Sequence, residues 1–282
     1  MCPEIPIDRF EVFAGGLDHP ECCAFDRDGN LWAGGEAGQV YRIDPKGKTE
    51  TIANLGGFCG GLAFSPDNRE LFVCVAGVGV VRVAKSGEHC VFATHAGGHK
   101  ILGANYLVFD SRGRMYVTDS GSWMKRNGFV LRFNLDGRGE VLAGPFGYAN
   151  GLALSADERH LFMVESDSDS VLRFEIDADD QLKEPELYAD HVGRFPDGLA
   201  LDVEGNLYVC CYASDEIWRI SADRQKSLLA HDRWGISLGR PTNLAFGGKN
   251  FDEMFVANLG RYTITRAILG IRGQPLANLQ VK

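Results

Sequence analysis

The stretch from Phe195 to Val209 reads FPDGLALDVEGNLYV: a short apolar strand, a turn rich in acidic residues, Gly and Asn, and a second strand. Apolar strands on either side of such a turn are the usual signal of a β-hairpin. Asp197 stands at the start of the first strand, directly before Gly198 and residues that should be buried. The stretch therefore predicts a hairpin whose inner end carries a carboxylate.

Five further copies of this hairpin follow the same pattern along the chain. Aligned on one apolar residue of the first strand, the copies are separated by 39, 45, 45, 47 and 45 residues, at Phe25, Phe64, Phe109, Leu154, Leu201 and Phe246. A third strand with an Arg in a constant place follows each hairpin, and most copies also have a fourth strand. Four antiparallel strands in roughly 45 residues make a propeller blade. Six copies predict an all-β, six-bladed β-propeller that forms a single domain over residues 1–282.

The ring of blades needs a closing strand. The N-terminal segment RFEVFAGG resembles the fourth strands of the other copies, so we expect it to complete the last blade, with PLANL near the C-terminus as the alternative. The repeated Arg is expected to lay its aliphatic stem on apolar surface and to bind carboxylates or carbonyls between blades.

Composition excludes several classes of partner. Lys and Arg total 29 against 38 Asp and Glu, a formal charge of −9, and no basic cluster occurs. This predicts neither a nucleic-acid partner nor an anionic membrane surface. No apolar run approaches the roughly 20 residues of a membrane span, and no secretory signal is visible, so cytoplasmic residence is expected. The eight cysteines are then expected to be mainly buried free thiols. The sequence does not indicate an oligomeric state.

The copies differ most at the position four residues before the aligned apolar residue, here called the ring position. Equivalent positions on the innermost strands of a propeller surround its axis, and here they are Glu21, Gly60, Asn105, Asn150, Asp197 and Thr242. Each Asn or Asp alone would be an ordinary turn residue. Together, carboxylate and amide oxygens in one ring favour a hard divalent cation. We predict a metal held by Glu21, Asn150 and Asp197, with Asn105 as a fourth ligand or a substrate contact.

The last residues of the second strands should surround the same opening. Asp119, in YVTDSGSW, and Glu165, in FMVESDSDS, are candidates for binding a hydroxylated substrate. The alternative is that they are solvated strand ends.

Three motifs resemble one known family. The segments HPECCAFDRDGNLWAG, ANGLALSADERHLFMVES and FPDGLALDVEGNLYV are similar to the metal-site strands of the gluconolactonase, regucalcin and senescence-marker-protein family. The resemblance covers essentially the whole chain. It implies a six-bladed propeller with a divalent ion on its axis, bound by Glu21, Asn150 and Asp197, and it implies a substrate-facing role for Asn105.

Departures from the family pattern concern the substrate more than the metal. Cys22 and Cys23 replace the usual small pair after the first Glu, and Gly103 stands where an Arg is common in members acting on sugar lactones. Tyr106 occupies a position that is often Asp.

The function expected from this pattern is hydrolysis of a sugar or small aliphatic lactone with a divalent metal. Calcium is the first expectation, with zinc, manganese, magnesium or iron as alternatives. Asp197 is the predicted general base, and the alternative is that the ion itself activates the water. Two other functions stay open: a non-catalytic propeller that binds metal or ligand, and an esterase acting on organophosphates or aryl esters at the same site.

Overall fold

The computed structural model describes residues 4–280 and confirms the six-bladed β-propeller. Blade 1 consists of Cys23–Phe25, Leu31–Gly34, Gln39–Ile43 and Thr49–Asn54. Blade 2 consists of Cys59–Phe64, Glu70–Val75, Gly79–Ala84 and His89–Ala93. Blade 3 consists of Ala104–Phe109, Met115–Asp119, Arg126–Phe133 and Gly139–Gly147. Strands in each blade pair antiparallel in chain order.

The other three blades repeat this arrangement. Blade 4 consists of Ala149–Leu154, His160–Glu165, Ser170–Glu175 and Glu186–Ala189. Blade 5 consists of Pro196–Leu201, Leu207–Cys211, Glu216–Ile220 and Lys226–His231. Blade 6 consists of Pro241–Gly247, Glu253–Asn258, Thr263–Ile268 and the N-terminal strand Glu11–Gly15. The start of the chain therefore closes the ring, as its resemblance to the fourth strands predicts.

Short elements complete the described chain. A small two-stranded sheet precedes blade 3, and it pairs His95–Ala96 with His99–Lys100. Three 3₁₀ turns lie at Ile7–Arg9, Ser166–Ser168 and Ala277–Leu279. The last of these contains most of PLANL, so the alternative closing strand is instead a turn. Within residues 4–280, no helix is long and apolar enough to cross a membrane.

The hairpin between the first two strands follows from the sequence of its turn. In blade 5, Asp202 accepts hydrogen bonds from the backbone N–H groups of Glu204 and Asn206, both at 2.9 Å, and Gly205 has a φ of 81°. An Asp side chain that bonds its own turn, followed by a Gly with positive φ, is what a tight reversal requires. The same Asp and Gly recur at Asp26 and Gly29 and at Asp110 and Gly113.

The hydrophobic core is divided among the blade interfaces. Six clusters of buried side chains occur, and each joins the facing sides of two adjacent blades. The inner strands contact their neighbours all the way around the axis. The starts of these strands are thereby held in one ring, where functional side chains can meet.

The repeated third-strand Arg pairs mainly inside its own blade, which corrects the expectation of pairing between blades. Arg42 contacts Glu50 at 2.6 Å and Arg82 contacts Glu70 at 3.5 Å, and both Glu residues lie on neighbouring strands of the same sheet. Arg132 contacts Glu140 in the same way and also donates to the carbonyl of Asp180 in the next blade. The Arg therefore mostly ties the outer strands of a blade together.

The C-terminal segment closes the far end of the central channel. Gln274 donates to the carbonyl of Leu154, and Asn278 donates to the carbonyl of Phe25, both at 2.9 Å. Both acceptors lie at the ends of inner strands, next to the hairpin turns. An axial cavity of about 70 Å³ lies between this segment and the inner strands. The channel is thus plugged at one end, and the ring residues lie at the other.

Candidate functional site

The ring residues lie where the inner strands leave regular pairing. In five blades the pairing register shifts at or beside the ring position, and in blade 1 Glu21 precedes the strand that begins at Cys23. A bulge leaves a residue unpaired and redirects its side chain. The register shifts therefore free these side chains from the sheets.

Glycines after the ring residues allow the inner strands to approach closely. A Cβ at Gly151 would lie 2.6 Å from the backbone oxygen of Asp197, and one at Gly198 would lie 2.6 Å from that of Thr242. No Cβ is accommodated at this distance unless the backbone shifts. The Asn-Gly and Asp-Gly pairs are therefore required to bring blades 4, 5 and 6 together at the ring.

Glu21 and Asp197 meet across the ring although their blades are not adjacent. Glu21 is 7% exposed and Asp197 is 6% exposed, so both carboxylates are buried. Burial raises the pKa of Glu21 to about 8. Burial, and then the negative charge of Glu21, raises the pKa of Asp197 well above its usual range, while a hydrogen bond from Asn150 opposes this. Two carboxylates buried at one ring need a cation or a proton to compensate their charge.

Asn150 is held in one orientation by Ser166, a residue that the sequence did not single out. Ser166 donates its hydroxyl proton to the carbonyl of Pro196 at 2.6 Å, and Asn150 Nδ2 donates to the Ser166 oxygen at 3.1 Å. Because the hydroxyl proton is already used, Ser166 can only accept from the amide nitrogen. Asn150 Oδ1 is consequently the free end of the side chain, and it is buried without a hydrogen-bond partner among the described residues.

Asn105 and Thr242 are two further residues of the ring. Asn105 is half-buried, and its Oδ1 is buried with no hydrogen-bond partner in the described part of the chain. Thr242 donates its hydroxyl to the backbone carbonyl of Glu21 at 2.7 Å and so fixes the start of blade 1 against blade 6. Whether Asn105 is a ligand or a substrate contact stays open.

The donor set fits a hard divalent cation. Three buried oxygens without hydrogen-bond partners within residues 4–280 belong to ring residues: Glu21 Oε2, Asn105 Oδ1 and Asn150 Oδ1. A buried polar atom without a partner costs roughly 1–3 kcal/mol. Asp197 adds a second buried carboxylate beside them. Oxygen ligands from carboxylates and amides are those that calcium, magnesium and manganese prefer.

Asp119 is buried at the end of its strand, and its contacts are with the loop that precedes blade 3. It accepts from the backbone N–H groups of Leu102 and Gly103 at 3.1 and 2.7 Å, and it is 2.8 Å from His99 Nε2. Both carboxylate oxygens are therefore engaged. Its direct contact with substrate stays a prediction, and the structure adds His99, which the sequence did not indicate, as a half-buried group at the same mouth.

Glu165 has an equivalent position in blade 4. It accepts from the backbone N–H of Gly147 at 2.7 Å, from Arg126 at 2.8 Å and from the Ser168 hydroxyl at 2.8 Å. It thus stabilises the loop that leads to Asn150. Its role as a substrate contact also stays a prediction.

The structure reveals an aromatic cluster at the mouth that sequence reasoning missed. Tyr148 and Phe195 each lie two residues before a ring residue, and Trp123 from the blade 3 loop contacts both. Burial, and then the charges of Asp197 and Glu21, raises the pKa of Tyr148 to about 12, which places its phenol near both carboxylates. One feature of the sequence could have indicated this cluster: Tyr148 and Phe195 occupy equivalent positions of the repeat.

A family model matches most of this chain. The model, described as the SMP-30/gluconolactonase/LRE-like region, covers residues 20–259. That span contains all six ring positions.

Two curated relatives and one solved structure illustrate the similarity. The 6-deoxy-6-sulfogluconolactonase of Pseudomonas putida is 25% identical over 80% of this chain and 78% of its own length. Regucalcin of Bos taurus is 30% identical, but that alignment covers only 38% of this chain and 36% of regucalcin. A crystal structure of a calcium-binding protein, regucalcin from Agrobacterium tumefaciens, superposes with a TM-score of 0.78 at 16% identity, covering 95% of this chain and 98% of that one. At this identity the structural likeness establishes the fold alone.

Proposed function

Because the chain belongs to the SMP-30/gluconolactonase/LRE-like family, we propose that it hydrolyses a lactone with the help of one divalent metal ion. The observation that carries this proposal is the ring of oxygen donors at the open end of the channel. Glu21 Oε2, Asn105 Oδ1 and Asn150 Oδ1 are buried without hydrogen-bond partners in the described chain, and Asp197 lies beside them. The 6-deoxy-6-sulfogluconolactonase relative supports the lactone as the class of substrate.

Glu21, Asn150 and Asp197 would hold the ion, and Asn105 would be a fourth ligand or would bind substrate. The regucalcin relatives favour calcium, and the same oxygen donors also accept magnesium or manganese. A bound ion would polarise the lactone carbonyl, which can lower the barrier by several kcal/mol. A bound ion would also compensate the charge of the two buried carboxylates, Glu21 and Asp197.

The chain's own groups would move the proton. Asp197 would accept a proton from the attacking water as the new bond to the lactone's carbonyl carbon forms. It would then donate this proton to the ester oxygen of the lactone as the bond between that oxygen and the carbonyl carbon breaks. Asn105 would orient the lactone. We assign Asp119 and Glu165 to the same mouth, where they would act through His99 and Arg126, their contacts in the structure.

The test combines a lactone panel with variants of the ring. Asp197→Asn should lose at least about 100-fold in kcat/KM, the scale of losing a general base. Asn150→Ala should also lose activity because it removes a proposed metal ligand, and both variants should keep the circular-dichroism spectrum of the wild type. Asp167→Asn removes the same charge from an exposed residue of the mouth and is the matched control. Undiminished hydrolysis by Asp197→Asn would refute the mechanism. Tight metal binding with no turnover across the panel would favour a binding propeller instead.

A further inference from the structure

The aromatic cluster at the mouth forms a continuous wall, here called the aromatic wall: Trp123, Tyr148 and Phe195. The ring centroids of Trp123 lie 5.1 Å from those of both partners, and Tyr148 lies 5.5 Å from Phe195. Distances of 4.5–7 Å are those of aromatic pairs in contact. All three pairs of side chains therefore touch and make one surface.

The aromatic wall is not part of the hydrophobic core. Its three residues are absent from all six clusters between blades. Trp123 is 59% exposed, and its neighbour Met124 is 79% exposed. Tyr148 and Phe195 are half-buried. The wall exposes apolar surface to water, which is unfavourable unless a ligand covers it.

Strained backbone conformations support the wall. Met124, Tyr148 and Phe195 have φ values of 56°, 59° and 51°, a region that bulky residues seldom occupy. Such residues persist where surrounding contacts hold them, and the equivalent residues of blades 1 and 6, His19 and Arg240, share this conformation. Here Asp169 accepts a hydrogen bond from the Phe195 N–H at 2.7 Å, and Tyr148 accepts one from the Ser166 N–H at 3.2 Å. The backbone that carries Tyr148 and Phe195 is thus held in position.

The wall directly adjoins the proposed metal site. Tyr148 and Phe195 each lie two residues before ring residues, Asn150 and Asp197. The equivalent residue before Asn105 is Gly103, which offers no charged group to a sugar hydroxyl or carboxylate. A substrate whose carbonyl reaches Asp197 would therefore lay its adjacent substituent against aromatic rings.

We propose that the substrate is a lactone with an aryl or alkyl substituent, and that Trp123, Tyr148 and Phe195 bind this substituent. This inference rests on the lactonase function proposed above and names its class of substrate. Sugar lactones, whose carbons carry hydroxyl groups, would cover the aromatic wall with less apolar surface than an aryl or alkyl substituent does. Selectivity arises because burying the substituent removes apolar surface of both wall and ligand from water.

The experiment compares γ-butyrolactone, its γ-phenyl and γ-hexyl derivatives, and glucono-δ-lactone on the metal-loaded protein. Wild type should favour the phenyl and hexyl lactones over γ-butyrolactone by about tenfold or more in kcat/KM, and Trp123→Ala should reduce that preference by roughly three- to tenfold, the range of one aromatic contact. Trp123→Phe should recover most of it. Trp234→Ala removes another exposed Trp from a loop of the mouth and should leave the preference unchanged.

Binding measured without turnover separates this inference from the lactonase function. A phenyl-substituted γ-lactam, which resists hydrolysis, should bind more tightly than the unsubstituted lactam, and Trp123→Ala should remove the difference. Equal kcat/KM for γ-butyrolactone and its substituted derivatives, or a preference unchanged in Trp123→Ala, would overturn the inference. Absence of turnover with every lactone, combined with Trp123-dependent lactam binding, would overturn the lactonase function and leave the apolar class of ligand standing.

Discussion

Replacing Ser166 by Ala should weaken metal binding although Ser166 is not a ligand. The hydroxyl joins two groups: it donates to the carbonyl of Pro196 at 2.6 Å and accepts from Asn150 Nδ2 at 3.1 Å. Without it the Asn150 amide loses one of the contacts that keep Oδ1 as its free end. The amide can then rotate and present its NH₂ group, which repels a cation.

The expected loss follows from the position of Ser166 behind one ligand. Removing a group that orients a metal ligand typically costs about 10- to 100-fold in affinity. At 1.4 kcal/mol per tenfold, this corresponds to about 1.4–2.8 kcal/mol of binding free energy. The lost hydrogen bonds should also lower the free energy of unfolding by about 1–3 kcal/mol, because buried polar groups are left unpaired.

Ser120→Ala is the matched control for Ser166→Ala. Ser120 follows the second strand of blade 3 as Ser166 follows that of blade 4, and its hydroxyl donates to the carbonyl of Ala149 at 2.7 Å. It makes no hydrogen bond to a ring side chain within residues 4–280. Both variants should lose comparable stability, while only Ser166→Ala should lose metal affinity.

Isothermal titration with calcium and with manganese measures the affinity, and urea unfolding of the chelated proteins measures the stability. The reasoning about Ser166 is refuted if Ser166→Ala binds both ions as tightly as wild type. It is equally refuted if Ser120→Ala loses as much affinity, since the effect would then be one of general stability.

Three more predictions follow from the same geometry. With a metal chelator present, the free energy of unfolding should fall as the pH rises from about 5 through 8. The reason is that burial raises the pKa of Glu21 from 4.5 to about 8, so the folded state favours the protonated carboxyl. The thermal stability of Glu21→Gln should therefore depend less on pH. Asn278→Ala should lower the free energy of unfolding in urea by about 1–3 kcal/mol by leaving the carbonyl of Phe25 unpaired, with kcat unchanged because it lies at the opposite end of the channel. Gly151→Ala should reduce the free energy of metal binding, measured by titration, at least as much as it reduces the free energy of unfolding, because the added Cβ would lie 2.6 Å from the Asp197 carbonyl oxygen.

Each of these has a control or a contrary outcome. A pH profile that is equally steep in wild type and Glu21→Gln would show that other groups dominate. Gln280→Ala truncates an exposed side chain of the same C-terminal segment and should be near neutral. Gly98→Ala, where no atom lies within 4 Å of the added Cβ, should leave metal affinity intact.

The repeat is what made the fold predictable. Strand period, turn residues and a nearly constant spacing all point to one architecture, and the structure confirms the six blades. The second strands of blades 3 and 4 end at Asp119 and Glu165, as the repeat predicts. The closing strand was predictable because RFEVFAGG has the pattern of the other fourth strands.

The contacts of the mouth were less predictable, for a physical reason. Asp119 and Glu165 could be placed at strand ends from spacing, but their partners lie on other elements: Leu102 in the loop before blade 3, and Gly147 at the end of the fourth strand of blade 3. Ser166 likewise acquires its role only when blades 4 and 5 are adjacent. The periodicity of the sequence predicts the strands, but it does not predict which side chains will contact the residues at the strand ends.

The proposed metal binding and the proposed substrate selectivity depend on different parts of the repeat, and this separation limits what a substitution can do. The ring residues are fixed by register shifts and by close contact of inner strands at Gly151 and Gly198. The aromatic wall lies two residues earlier and in the blade 3 loop, where Asp169 and other hydrogen-bonding groups hold it from the loop side. The Ser166 hydroxyl bonds Asn150 and Pro196, whereas the Trp123 ring contacts Tyr148 and Phe195. Because additive effects are expected for side-chain groups with different partners, Trp123→Ala combined with Ser166→Ala should show the sum of a selectivity loss and an affinity loss. A strong interaction between them would mean that the aromatic wall and the ring residues are coupled, and the separation of metal binding from substrate selectivity would then be wrong.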